Sequence, residues 1–221
     1  YGMYDLFMSA GRDWGAIIEG RPGPALIEPI VVSRHAGAFE AQNNVQIVPQ
    51  ATLDACSPDI VCVPELAIVP GEVLDGRFDE ELAWLAGRYA AGATLATACS
   101  GAMLLAEAGL LDGHEATTHW AYCDMLQHRH PRVKVRAQRA HVVSGDAQRL
   151  VMAGGGTSWL DLALYLIARF ADVDAAMAVA RLQLIDWHHV GQEPFARLAR
   201  SRQTDGLSDG SFDLRRDRER R

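Results

Sequence analysis

Residues 94–102, Thr94-Leu95-Ala96-Thr97-Ala98-Cys99-Ser100-Gly101-Ala102, constrain the chain more than any other stretch. An apolar run ends at a cysteine, and small residues (Ala98, Ser100, Gly101, Ala102) surround it. A sharp turn from strand into helix needs small neighbours on both sides, so this is the cysteine counterpart of a nucleophile elbow. The turn sets the sulfur at the start of a helix, where dipole and N–H groups favour an anion. A lowered Cys99 thiol pKa and a backbone oxyanion site are therefore expected. An inert, buried packing cysteine is the bland alternative and stays open at this point.

The rest of the chain alternates strand-like and helix-like segments around this turn. Asp5-Leu6-Phe7-Met8 has helical spacing and runs to a stop at Gly11. Short strand-like runs follow at Ala16–Ile18, Pro29–Val32 and Val45–Val48. The continuous apolar run Asp59-Ile60-Val61-Cys62-Val63-Pro64 predicts a central parallel strand covered on both faces. Helical spacing is clear over Phe78–Ala91 and Gly101–Ala108. Ala116–Thr118 and Val133–Val135 read as strands, and Ala121–Gln127 as a helix. Ala140–Val143 and Leu150–Met152 flank the turn Ser144-Gly145-Asp146 and predict a hairpin. Two helices close the body, Ser158–Phe170 and Val173 to about His188. This order predicts a layered α/β fold with a largely parallel sheet.

Composition excludes several classes of function. The 221 residues carry 21 basic and 28 acidic side chains, a net charge of −7, which argues against a general nucleic-acid binder. The single lysine, Lys134, lies between two valines, so there is no phosphate-binding Gly-Lys-Ser/Thr loop. Four cysteines (Cys56, Cys62, Cys99, Cys123) are too few for a disulfide scaffold, and a reducing cytoplasm is the expected compartment. No apolar run is long enough to span a membrane. Residues 204–221 are polar and arginine-rich, and are expected to form a disordered tail after a domain covering 1–203.

Other candidates are weaker. His114 and His119 stand five positions apart across a β-branched segment, whereas the helical zinc signature needs four, so no metal site is expected. Cys56 and Cys62 have no second pair, and Cys62 reads as core. Cys123 reads as a partly buried helix residue. His128, His130 and His188-His189 read as helix-end residues. Gly154-Gly155-Gly156 lacks dinucleotide spacing and reads as a close backbone approach. Trp159, Leu162, Leu166 and Trp187 read as core or dimer seam. His119 follows a strand after the elbow helix. A right-handed crossover would return that strand parallel to 94–98 and bring His119 to the sheet edge that carries Cys99.

The run Ala98-Cys99-Ser100-Gly101-Ala102-Met103-Leu104-Leu105-Ala106-Glu107-Ala108-Gly109-Leu110-Leu111-Asp112-Gly113, continuing to Ala116-Thr117-Thr118-His119-Trp120, resembles the ThiJ/PfpI superfamily. It is most similar to the amidotransferase-like domain that precedes the DNA-binding helices of AraC-type (GlxA-like) transcription regulators, and isonitrile hydratases share the elbow pattern. The resemblance extends to Asp59–Glu65 and to Ala153–Leu164, and covers about residues 1–203. It implies a flavodoxin-like three-layer α/β sandwich with a mainly parallel central sheet, usually dimeric, and a pocket at the elbow. It also implies Cys99 as nucleophile or ligand contact with His119 beside it. The backbone of Glu65-Leu66 and Ser100 would be the oxyanion site, and Gly155 part of the wall.

The departures from the family pattern have consequences. Protease-like members use a glycine pair where this chain has Glu65-Leu66, and many place histidine where Ser100 stands. Many superfamily enzymes hold an acid near the start of the first helix, for which Asp5 is the candidate. The strand that normally precedes that helix is expected to be missing before Tyr1. The favoured expectation is a ligand-sensing, dimerising domain of an AraC-type regulator, with a small molecule beside Cys99 and no cofactor. DNA would be reached only through a helix-turn-helix domain absent from this chain. The rival is a cysteine hydratase or hydrolase using Cys99 and His119; a redox-sensing thiol is a third reading.

Overall fold

The structure, a computed structural model, describes residues 1–69, 71–74 and 76–186. The expected tail at 204–221, together with Trp187 and His188-His189, lies outside them. The elements in chain order begin with α1 (Gly2–Ser9), α2 (Asp13–Ile18), β1 (Val32–Ser33), β2 (Phe39–Ala41), β3 (Val45–Ile47), β4 (Ala51–Thr52) and β5 (Ile60–Val63). Then come α3 (Asp79–Ala90), β6 (Thr94–Ala98), α4 (Ala102–Glu107), β7 (Glu115–Ala116), α5 (Cys123–Arg129) and β8 (Lys134–Val135). The last are β9 (His141–Ser144), β10 (Leu150–Ala153), α6 (Ser158–Phe170) and α7 (Val173–Leu182).

The central sheet runs β5-β6-β10-β9, with β5, β6 and β10 mutually parallel and β9 antiparallel on the far edge. Its apolar residues alternate between two cores, because successive side chains of a strand point to opposite faces. Leu95 and Val63, with Leu150 and Met152, pack against Leu85 of α3, Met103 and Leu105 of α4 and Leu126 of α5. Ala96, Ala98, Val151 and Ala153 face the other way, toward Leu6 of α1, Leu162 and Ile167 of α6 and Val179 of α7. Helices thus cover both faces of a mostly parallel sheet, which is the flavodoxin-like α/β sandwich. Each fully buried leucine here contributes about 2 kcal/mol by leaving water.

Local chemistry explains the helix boundaries. Acids Asp79, Glu80 and Glu81 open α3 and Arg88 closes it, complementing the dipole. Asp172 caps α7 by accepting the Ala175 N–H at 2.6 Å. The expected helix to residue 188 instead ends at Leu182. Leu184 turns left-handed (φ 52°) and the Ile185 N–H reaches back to the Ala180 carbonyl at 2.9 Å, a Schellman-type stop that sequence alone did not announce.

Two further expectations fail. Ala16–Ile18 belongs to helix α2, opened by Asp13, and not to a strand. β7 does not join the central sheet, because both edges of β6 are taken by β5 and β10. It pairs instead with β8 in a separate two-stranded sheet, Glu115 opposite Lys134. The hairpin at β2–β3 and the parallel pair β1–β4 also stand apart from the central sheet. No helix among the described residues is long and apolar enough to cross a membrane.

Candidate functional site

β6 ends at Ala98, and Cys99 turns the chain with φ 56°, a left-handed conformation that costs a non-glycine residue about 1–2 kcal/mol. The turn is held from both sides. The Cys99 N–H donates to the Gly154 carbonyl at 3.0 Å, and Thr118 Oγ1 donates to the Cys99 carbonyl at 2.6 Å. Gly101 is required by space: a Cβ there would stand 2.6 Å from the Pro64 carbonyl oxygen, 2.9 Å from that of Val63 and 2.1 Å from Thr97 Oγ1. The chain therefore reaches the elbow under strain, which structures store at functional sites.

Ser100 does something the sequence did not reveal. Its hydroxyl is buried, accepts the Leu66 N–H at 2.8 Å and donates to the Leu66 carbonyl at 3.0 Å. This reciprocal pair latches the segment after β5 to the elbow across 34 positions of sequence. It also engages the Leu66 N–H expected as an oxyanion donor.

A cavity of about 340 Å³ opens beside the elbow. Cys99, Ser100 and Glu65 form one side of it, Leu66, Ala67, Ile68 and Val69 the wall, and Gln42 and Tyr122 complete the rim. The wall is tied down by the segment that follows His119. Tyr122 Oη donates to the Ile68 carbonyl at 2.7 Å, and Arg129 of α5 donates to the carbonyls of Gly71 (2.7 Å) and Glu72.

The electrostatics run opposite to the expected thiolate. Burial pushes the Cys99 thiol up, and the neighbouring Glu65 carboxylate acts in the same direction, while hydrogen bonds from Ser100 oppose it without prevailing. The helix expected to stabilise an anion is short, six residues in α4. Burial also holds the His119 imidazole below its ordinary value, against an upward pull from Glu65. The pair is thus a neutral thiol near a neutral imidazole. His119 Nδ1 accepts the Ala121 N–H at 3.1 Å, and among the described residues no hydrogen bond joins His119 to the Cys99 sulfur.

His119 does reach the elbow, although by another route than the expected crossover: the preceding Thr118 bonds the Cys99 carbonyl directly. Gly155 packs against the imidazole so closely that a Cβ would lie 2.0 Å from His119 Cδ2. Neither His119 nor Gly155 belongs to the lining of the Cys99 cavity; they meet at its side. Asp5 lies in the first turn of α1 and opens on a different cavity, of about 410 Å³, with Trp159 and Gln183. The acid beside Cys99 is Glu65, a residue expected at the ligand site, and it is the carboxylate as well as the backbone that stands there. A carboxylate at the end of the strand that meets the elbow was the signal available for it.

Cys62 and Cys123 pack. Burial raises the Cys62 thiol to about 12 on β5, and the buried Cys123 thiol donates to the carbonyls of Thr118 and His119 at 3.9 and 3.6 Å, bracing that segment. Among the described residues no cluster of His, Cys, Asp and Glu is arranged to hold a metal ion.

Comparison with known proteins agrees with the fold. Residues 21–169 match the model of the DJ-1/PfpI family. An isonitrile hydratase of Pseudomonas putida is 33% identical over 145 residues, which cover 65% of this chain and 59% of that protein. The HTH-type transcriptional regulator CdhR of Pseudomonas aeruginosa is 38% identical over 151 residues, 68% of this chain and 43% of the regulator. The chain thus spans roughly half of the curated relatives it matches. Among solved structures, an AraC family transcriptional regulator from Pseudomonas putida superposes with a TM-score of 0.64 at 17% identity, covering 82% of this chain and 91% of that one. From the family match, the parallel sheet and the cysteine elbow together, the chain belongs to the DJ-1/PfpI family.

Proposed function

We propose that the chain is the ligand-sensing and dimerising domain of an AraC-type transcription regulator, with a small molecule bound in the cavity beside Cys99. The observation that carries this reading is the Ser100–Leu66 latch, which occupies an N–H group that a catalytic elbow would aim at its substrate. Nucleophilic catalysis needs a thiolate or a base poised to make one. Here burial and Glu65 hold the Cys99 thiol up, no hydrogen bond joins His119 to its sulfur among the described residues, and the Leu66 N–H is already engaged by Ser100 Oγ. Such a site can contact a ligand and respond to it. Regulators among the relatives support the same reading.

The response has a physical route. A ligand pressing on Glu65 or Leu66 acts on the Ser100 latch, and through Ile68, Gly71 and Glu72 on Tyr122 and α5. A ligand that prefers one arrangement of this wall shifts the population toward it. With a net charge of −7, contact with DNA would fall to a separate domain. A homodimer of this chain would give the symmetry such regulators use.

The second reading, a hydratase, is favoured by the strained, cavity-facing Cys99 and by the similarity to an isonitrile hydratase. One experiment separates the two. Purified chain and its Cys99→Ala variant are screened against metabolites by thermal shift and, in parallel, incubated with isonitriles. The sensing reading expects a ligand that raises Tm in both proteins and no isonitrile consumption. Turnover by the parent chain that Cys99→Ala abolishes would establish the enzyme instead.

A further inference from the structure

Helix α7 turns one face to the core and the other outward. Ala175, Ala176, Val179 and Ala180 are buried with α6, whereas Val173, Asp174, Met177 and Arg181 are exposed. The outward residues recur at intervals of three and four, so they form one stripe along the helix. Val173 is 64% and Met177 36% exposed, and on α2, packed beside α7, Ile17 and Ile18 are 67% and 59% exposed. The stripe carries one charge at each end. Asp174 stands in the first turn and Arg181 in the last, and neither belongs to an ion pair among the described residues. They lie about 10.5 Å apart along the axis, and the point midway between them falls between Met177 and the half-buried Ala178.

We propose that this stripe is a dimer seam, in which α7 packs antiparallel on α7 of a second copy of the chain, about a two-fold axis between Met177 and Ala178. The proposal rests on the reading of the chain as a dimerising domain and names the face that does it. An axis at that point sets Asp174 opposite Arg181 of the second copy, and Arg181 opposite its Asp174. Both free charges are then paired, at both ends of the seam. Met177 meets Ala178 of the second copy, a long adaptable side chain against a small one, which lets the helices approach closely. The positive end of each helix dipole also lies beside the negative end of the other. A parallel pair would set acid against acid and base against base, so the stripe is complementary to itself in one direction only. The charge pairs stay at the rim, in water, where they set register more than strength. A helix about 15 Å long covers less than the roughly 800 Å² per partner of a standard interface. Ile17 and Ile18 of α2 widen the seam, and the dimer should have a Kd of about 1 μM.

The test is sedimentation of the whole chain across the micromolar range, with charge exchange at the two ends of the stripe. Asp174→Arg alone and Arg181→Glu alone each set like charges opposite one another twice, and each should weaken the dimer about tenfold. The double variant Asp174→Arg, Arg181→Glu should recover the parent Kd. A mixture of the two single variants should form a heterodimer tighter than either homodimer, because each then meets its opposite charge at both ends. Met177→Asp, at the axis, should leave a monomer whose far-ultraviolet circular dichroism matches the parent. Weakening by the single variants without recovery in the double variant or the mixture overturns the proposal. So does a dimer that none of these variants weakens; such a dimer forms through another face, and the dimerising reading stands without this seam. A parent chain that stays monomeric throughout overturns both.

Discussion

Replacing Ser100 by alanine removes one oxygen and two hydrogen bonds, those to the Leu66 N–H at 2.8 Å and the Leu66 carbonyl at 3.0 Å. The hydroxyl is buried, with Ser100 only 1% exposed, and alanine fits the same space, so no packing change accompanies the loss. Each bond contributes about 1 kcal/mol net, and the two backbone groups it leaves are partly shielded, so the variant should lose about 2 kcal/mol. For a domain of this size that lowers Tm by about 4–8 °C. Ser144→Ala is the internal comparison, because Ser144 Oγ makes one bond, to the Glu115 carbonyl at 2.6 Å. It should lose about half as much. Differential scanning calorimetry measures both, and hydrogen exchange at the Leu66 amide should quicken in Ser100→Ala alone. A Tm for Ser100→Ala equal to that of the parent, or no greater loss than Ser144→Ala, would refute the latch.

The latch also marks how far sequence could reach. α6 was legible to the residue, since Leu162, Leu166 and Ile167 repeat at helical spacing between Asp161 and Arg169. The elbow was legible because small residues crowd Cys99. What escaped depends on contacts between distant segments. Ser100 meets Leu66 across 34 positions, and no local pattern says that a serine will take the N–H that would otherwise face a ligand. The thiol was expected to ionise readily from its place at a helix start, but burial and Glu65 decide the sign. β7 had the composition of a sheet strand, yet β10 had already occupied the edge of β6. Ile17-Ile18 is β-prone and reads as strand, while Asp13 and the turn before it set the helix.

Two further outcomes follow from the same geometry. Gly101→Ala should destabilise more than Gly155→Ala, because its Cβ meets two backbone carbonyls, whereas the Gly155 Cβ meets the His119 ring, which can swing aside; about 3 against about 1–2 kcal/mol by urea unfolding, with equal losses contradicting the account. Stability should also fall on both sides of neutrality. His119 and His141 are held below their ordinary value by burial, so the unfolded chain binds protons first and stability drops as pH falls through about 6.5. The thiols of Cys62 and Cys99 are raised, so the unfolded chain loses protons first and stability drops as pH rises past about 8.5. Tm against pH should show this plateau, and a His119→Asn, His141→Asn double variant should flatten the acid limb; an unchanged limb would exclude these histidines.

The protonation of Cys99 separates a ligand-contacting elbow from a catalytic one, and alkylation reads it directly. The rate of iodoacetamide modification at Cys99, followed by mass mapping from neutral to alkaline pH, reports the thiolate fraction. The account predicts a midpoint above the ordinary thiol value of about 8.5, moving down in Glu65→Gln as the neighbouring carboxylate is removed. A midpoint below that value in the parent chain would mean an activated nucleophile, and would contradict the reading of this elbow as a sensor.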